Sequence, residues 1–138
     1  MPPSIKVYTD GAARGNPGPA AIGVVVCDEE DNVLREQKQH IGEATNNEAE
    51  YRAIMAGLDL AAGFTRMEVV CTTDSELVVR QLTGVYRLKN ARMLALFFEV
   101  KEKERMFERV SYRHRLRLTG HLKRADGLAN EALDEAGF

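Results

Sequence analysis

The chain has 138 residues, of which 44% are hydrophobic and 29% charged, and its formal net charge is −2. That is the composition of a folded domain, and the length suits a single domain of ordinary size spanning residues 1–138 with a core of its own. No apolar stretch approaches the roughly 20 residues of a membrane span. Met1-Pro2-Pro3-Ser4-Ile5-Lys6 lacks an apolar signal core, so a cytoplasmic location and a monomer without membrane contact are expected.

Ile5, Val7 and Thr9 alternate with Lys6, Tyr8 and Asp10, the period of a pleated strand. Asp10 then stands before the glycine- and proline-rich stretch Gly11-Ala12-Ala13-Arg14-Gly15-Asn16-Pro17-Gly18-Pro19, which must turn tightly and lets a ligand approach the backbone. Residues 20–27 read as a second strand, the polar run from Asp28 to Asn32 as a turn, and residues 33–41 as a more exposed third strand. Three strands with short turns make an antiparallel meander.

Thr45-Asn46-Asn47 opens a helix whose apolar face is Ala49, Tyr51, Ala53, Ile54, Leu58 and Ala61, with Gly63 at its end. A buried strand follows over 67–73. Asp74-Ser75 caps a short helix that stops near Gly84, and a longer helix covers 91–106. Val110, Tyr112 and His114 mark a fifth strand, and the last helix is expected over 123–136. The order βββαβααβα predicts an α/β fold with a mixed five-stranded sheet and helices on both faces. Because a helix joins the meander to the fourth strand, the first and fourth strands should be parallel neighbours. Asp10 and Asp74 then lie at the same end, where α/β sheets bind ligands. Cys27 and Cys71 each close a valine-rich run and read as buried thiols.

Four acids fall in comparable places: Asp10, Glu50, Asp74 and Asp126. Each has a local alternative. Asp10 can be a turn residue, Glu50 can close a capping box with Asn47, Asp74 can cap its helix, and Asp126, in the first turn of the last helix, can complement the helix dipole. Brought together they repel one another unless cations neutralise them. Oxygen ligands in that number suit Mg²⁺, and two such ions suit phosphodiester hydrolysis. The charge distribution agrees. Arg109, Arg113, Arg115, Arg117, Lys123 and Arg124 share a segment without acids, which suits a polyanion.

Asp10-Gly11-Ala12-Ala13-Arg14-Gly15-Asn16-Pro17-Gly18-Pro19, Thr45-Asn46-Asn47-Glu48-Ala49-Glu50-Tyr51, Thr73-Asp74-Ser75 and Ala125-Asp126-Gly127-Leu128-Ala129-Asn130 resemble, in order and over nearly the whole chain, type 1 ribonuclease H. The resemblance implies the ribonuclease H fold and a metal-dependent endonuclease that cuts the RNA strand of an RNA–DNA hybrid. Two Mg²⁺ or Mn²⁺ ions would act, leaving 3′-hydroxyl and 5′-phosphate ends. It implies Asp10, Glu50, Asp74 and Asp126 as catalytic metal ligands, with Glu50 rather than Glu48 because the family's acid stands five residues after the threonine. Asn16, Asn46 and Asn47, with backbone groups near Gly11 and Ala13, would contact the RNA strand, and Thr45 a phosphate of the DNA strand. Amides can both donate to and accept from 2′-hydroxyls.

Three departures stand out. Where the family often has a loop histidine before the last aspartate, ungapped counting reaches Leu116. His121 is then the candidate for proton transfer or product release, from a segment ahead of the last helix, and Arg115 or Arg117 are its substitutes. Glu76 stands where a neutral polar residue often meets RNA. The short link from Gly84 to Ala91 and the absence of Trp match the compact branch, which lacks a basic protrusion and a hybrid-binding domain. Two alternatives remain: a broader nuclease that also cuts double-stranded RNA, and a catalytically silent hybrid-binding protein.

Overall fold

A computed structural model describes residues 1–116 and 120–138 of the chain. The elements follow the expected order: β1 (Ser4–Ala13), β2 (Gly18–Cys27), β3 (Val33–Ala44), α1 (Asn46–Ala61), β4 (Glu68–Thr73), α2 (Glu76–Leu82), α3 (Ala91–Glu104), β5 (Arg109–His114) and α4 (Gly120–Glu135). The strands form one sheet in the order β3-β2-β1-β4-β5. β1 is antiparallel to β2 and parallel to β4, and β4 is parallel to β5.

The period of two sorts the side chains between two faces. Ile5 and Val7 of β1, with Val24 and Val26 of β2, pack against Tyr51, Ile54 and Leu58 of α1. Val25 and Cys27 point the other way, onto Ala125 and Leu128 of α4. Cys27 and Cys71 are buried free thiols. No helix among the described residues is long and apolar enough to cross a membrane.

Two boundaries differ from the sequence expectation, and each moves a functional residue. β1 does not stop at Asp10: Gly11, Ala12 and Ala13 stay paired with Ile22, Ala21 and Ala20. The turn comes later, closed by the Arg14 N–H donating to the Pro19 carbonyl at 2.8 Å, with Gly15 at φ 114°. Only glycine adopts that conformation at little cost. α4 begins at Gly120, at φ 70°, so Asp126 lies in its second turn rather than its first. His121 belongs to the helix and does not precede it.

Candidate active site

The site is built on a fork in the sheet. β1 and β4 run in parallel register from Ser4↔Glu68 to Tyr8↔Thr72, and there the pairing ends. β1 continues against β2, while β4 continues to pair with β5 through Thr73↔His114. Asp10 and Asp74 each lie two residues past that last shared pair, so they face each other across the opening. Carboxyl ends of parallel strands that part in this way form the ligand crevice of α/β sheets.

Glu50 closes the fork from above. Its Oε1 accepts from the Gly11 N–H at 2.6 Å, and its Oε2 accepts from the Thr73 hydroxyl at 2.9 Å. One carboxylate thus ties together the two strands that have just separated. The approach depends on Gly11, where any Cβ would collide with the backbone of Ala49 and Glu50. Asp10 is fully buried and Glu50 nearly so. One carboxylate oxygen from each of Asp10, Glu50 and Asp74 lies within 4.8 Å of the others. Burial, with Asp74 adding to it, pushes the Glu50 carboxyl up to about 7 against the pull of Gly11 and Thr73. Such a set of hard oxygen donors fits small divalent cations such as Mg²⁺ or Mn²⁺.

Asp126 stands outside that tight trio, on the helix that covers the same face as Asp10. Asp10 pairs across the sheet with Gly23, and a Cβ on Gly23 would strike the Ala125 carbonyl. The bare glycine lets α4 sit close to the sheet beside Asp10, one residue from Asp126. Asn130 then orients the aspartate. Its Nδ2 donates to the Asp126 carbonyl at 3.0 Å and to Asp126 Oδ1 at 3.2 Å, while its Oδ1 accepts from Arg14 at 3.2 Å. Arg14 and Asn130 were present in the sequence motifs without an assigned role. Their spacing of 116 residues hides the contact from any local reading.

The two glutamates of α1 have separate jobs. Thr45 is the N-cap, accepting from the Glu48 N–H at 3.1 Å, and the Glu48 carboxylate accepts from the Thr45 N–H at 3.0 Å. The capping box is therefore Thr45 with Glu48, not Asn47 with Glu50, and Glu50 is released toward the fork. Glu48 is buried. The Thr45 backbone N–H, with Arg92 beside it at 2.9 Å, holds its carboxyl below the usual range. Likewise Ser75, accepting from the Val78 N–H, caps α2, and Asp74 is spared that task.

Beside the acids lies an open cleft of about 340 Å³ whose lining includes Asn16, Thr45, Asn46, Asn47, Asn90 and Arg92. Asn16 Oδ1 accepts from the Asn46 N–H at 3.0 Å, and Asn46 Oδ1 accepts from the Ala13 N–H at 3.2 Å. The turn after β1 and the start of α1 thus form one surface. Sequence reading missed Asn90 and Arg92, which line it from the start of α3. Arg115 is exposed, but its N–H donates to the Thr73 carbonyl at 3.0 Å, which places it next to Asp74. Arg117 lies outside the described residues. Glu76 is engaged by Arg80 at 2.8 Å.

His121 is elsewhere. Its ring lies 5.2 Å from that of Tyr8, and its Nε2 is 2.9 Å from the Asp31 carbonyl, in the turn between β2 and β3. Tyr8 is two residues, about 7 Å, back along β1 from Asp10. The expectation of a histidine on a segment before the last helix, working beside the acids, is corrected: the first turn of α4 carries it to the opposite end of the sheet.

A family model described as reverse transcriptase-like matches residues 8–132. A ribonuclease H of Pseudomonas putida (strain W619) is 35% identical over 148 residues, covering 98% of this chain and 97% of the relative. The chain belongs to the type 1 ribonuclease H family. The ribonuclease HI of Halobacterium salinarum is 42% identical over 132 residues, 96% of this chain and 65% of its own. The crystal structure of LC11-RNase H1 in complex with an RNA/DNA hybrid superposes with a TM-score of 0.89 at 43% identity, covering 96% of this chain and 98% of that one. The chain spans only 36% of the length of the Mycobacterium relatives that it matches at 41% identity. The ribonuclease H fold expected from the motifs is the fold observed.

Proposed function

We propose that this ribonuclease H domain, residues 1–138, cuts the RNA strand of RNA–DNA hybrids and leaves 3′-hydroxyl and 5′-phosphate ends. Asp10, Glu50, Asp74 and Asp126 are its metal-binding acids, for two Mg²⁺ or Mn²⁺ ions. The observation that carries the reading is the convergence of Asp10, Glu50 and Asp74 within 4.8 Å at the fork between β1 and β4. Asp10, Glu50, Asp74 and Asp126 would hold hard dications there, and such ions would supply charge neutralisation, a water of lowered pKa and stabilisation of the departing oxygen of a phosphodiester.

The chain's own residues set the geometry. Glu50 is fixed by Gly11 and Thr73, and Asp126 is aimed by Asn130. Asn16, Asn46 and Asn47 present amides to the minor-groove side of a hybrid, where 2′-hydroxyls identify the RNA strand. The amides of Gly11 and Ala13 are already engaged by Glu50 and Asn46, so their carbonyls are what remain for a 2′-hydroxyl. Thr45 and Arg92 face a phosphate across the cleft, and Arg115 extends the basic surface past Asp74.

The test is cleavage of end-labelled hybrid, RNA duplex and DNA duplex, each with Mg²⁺, Mn²⁺ or chelator. Cleavage confined to the RNA of the hybrid and lost in chelator is the expected result. Equal cutting of RNA duplex would replace hybrid specificity with a broader nuclease. Binding of hybrid without any cleavage would make the chain a silent binder.

A further inference from the structure

A second group of metal-binding side chains lies at the other end of the α4 face. Cys27 ends β2, Asp31 lies in the turn that follows, and His121 is in the first turn of α4. One ligand atom from each lies within 4.8 Å of the others. We propose that Cys27, Asp31 and His121 form a second cation site, chemically distinct from the acids, for a borderline d-block dication of the Zn²⁺ class.

Donor type argues for the ion. Sulfur, imidazole nitrogen and one carboxylate oxygen are the mixture that Zn²⁺ takes and that Mg²⁺ and Mn²⁺ do not select. Donors around a tetrahedral zinc stand about 3.3–3.6 Å apart, so closure needs a contraction of about 1 Å from the outer limit of this group. Two of the three donors sit on parts that can supply it, a turn and a first helical turn. Three protein ligands leave the fourth position to water.

The surroundings are those of an oriented site rather than a chance meeting. The Tyr8 hydroxyl donates to Asp31 Oδ1 at 2.7 Å, and Lys6 Nζ lies 3.5 Å from the same oxygen. The Tyr8 ring also packs on the imidazole, so one side chain positions two ligands. Metal ligands are commonly held by such outer contacts. Asp31 adopts φ 63°, a left-handed conformation that non-glycine residues hold at a cost. Asp28 pays for it locally by accepting from the N–H groups of Glu30 and Asn32 at 3.0 and 2.9 Å. The Cys27 sulfur is buried against α4, so its proton must leave to solvent as the metal–sulfur bond forms. The ion would clip the start of α4, the helix that bears Asp126, to the β2–β3 turn.

Co²⁺ in place of Zn²⁺ gives a direct readout, because only thiolate ligation produces a sulfur-to-cobalt charge-transfer band. Chelator-stripped protein titrated with Co²⁺ should develop that band at one equivalent, and one equivalent of Zn²⁺ should bleach it. Cys27→Ser should abolish it. His121→Ala should weaken Co²⁺ affinity at this site at least 10-fold, and Asp10→Asn should leave the band intact. With Mg²⁺ saturating the fork, Zn²⁺ should raise the Tm of the parent protein and of Asp10→Asn, but not that of Cys27→Ser. A parent protein without the band, a band that survives Cys27→Ser, or an unchanged affinity in His121→Ala would each overturn the site.

Discussion

The two ends of the α4 face collect ligands of opposite character. At the fork beyond Tyr8 and Thr72, Asp10, Glu50 and Asp74 bring only oxygens, all formally anionic. Further back along β1, where Cys27 pairs with Lys6, Cys27, Asp31 and His121 bring sulfur, nitrogen and oxygen, with Lys6 and Tyr8 already offsetting the one carboxylate. The first end gathers three carboxylates and suits hard cations. The second is balanced as it stands, and a cation there adds a clip rather than relieving repulsion. Both ends hang from the same strand and helix, but their ligands are different residues, so each end can be perturbed by its own substitutions and the comparison is open to experiment.

The sharpest break is Asp10→Asn. An amide keeps the shape and removes the buried charge around which the acids gather, so cleavage should fall at least about 1,000-fold in a protein that still folds. Hybrid cleavage and circular dichroism on the same sample check it. Near-parental turnover in Mg²⁺ would remove the fork from the chemistry.

Glu50→Gln comes next, and pH sharpens it. Burial raises the Glu50 carboxyl from 4.5 to about 7 in the folded chain. The folded state therefore holds a proton that the unfolded state has released across that interval. That contribution to stability is complete below pH 4.5 and is lost as pH rises through 7. In chelator, the Tm should fall by roughly 5 °C from pH 5 to pH 8, and Glu50→Gln should flatten that slope. Saturating Mg²⁺, which binds the ionised form, should offset the fall in the parent and raise the Tm of the variant at pH 8 by less. Glu48→Gln should do neither, costing about 1 kcal/mol through the weakened capping box and little activity. A flat parental profile in chelator would show that the fork is not strained by its own charge.

Much of the fork was legible in the chain, and nothing of the other end. Alternation at Ile5, Val7 and Thr9, the helix start at Thr45 and the serine after Asp74 place the strands and caps because they express local rules of period and hydrogen bonding. Repulsion among like charges pointed from four separate acids to a cation site before any coordinates. What stayed hidden depends on packing between distant segments. Gly23 and Gly11 reveal their purpose only when α4 and α1 lie on them. Asn130 meets Arg14 only through the closed sheet. Which glutamate closes the capping box is not legible in the chain, because Asn46 and Asn47 are cap-forming residues too, and only the backbone shows that Thr45 precedes the first helical turn. His121 was drawn toward the acids by its nearness in sequence to Asp126, but one helical turn and more along α4 carries the two side chains to different ends.

Asn130→Ala tests how far the fork depends on the helix that it shares with the other end. Loss of the two contacts to Asp126 should lower kcat about 10-fold and raise the Mg²⁺ concentration needed for half-maximal rate, with KM for hybrid little changed. Asn130→Asp should not rescue it, because a carboxylate beside Asp126 repels where the amide donates. Unchanged metal dependence in both variants would show that α4 aims Asp126 without help.

The smallest effect is expected at the rim of the fork. Arg115 follows β5, is exposed, and is tied to the Thr73 carbonyl one residue before Asp74. Its guanidinium donates to the His114 carbonyl at 2.9 Å, a weak hold that a phosphate can displace. An arginine in contact with a hybrid phosphate contributes through counterion release, so Arg115→Ala should weaken binding only a few-fold at moderate salt. It should also reduce the slope of log affinity against log salt by about 1. The comparison arm is Arg124, which is paired with Glu36 and Glu131 toward the other end of the face, and Arg124→Ala should leave the slope unchanged. Affinity for hybrid measured in Ca²⁺ or with the Asp10→Asn background, across a salt series, separates the two. Equal slopes for the parent and Arg115→Ala would move the polyanion track off β5 and onto the cleft at Thr45 and Arg92. A reduced slope in Arg124→Ala would extend that track along the whole face and erase the division between its ends.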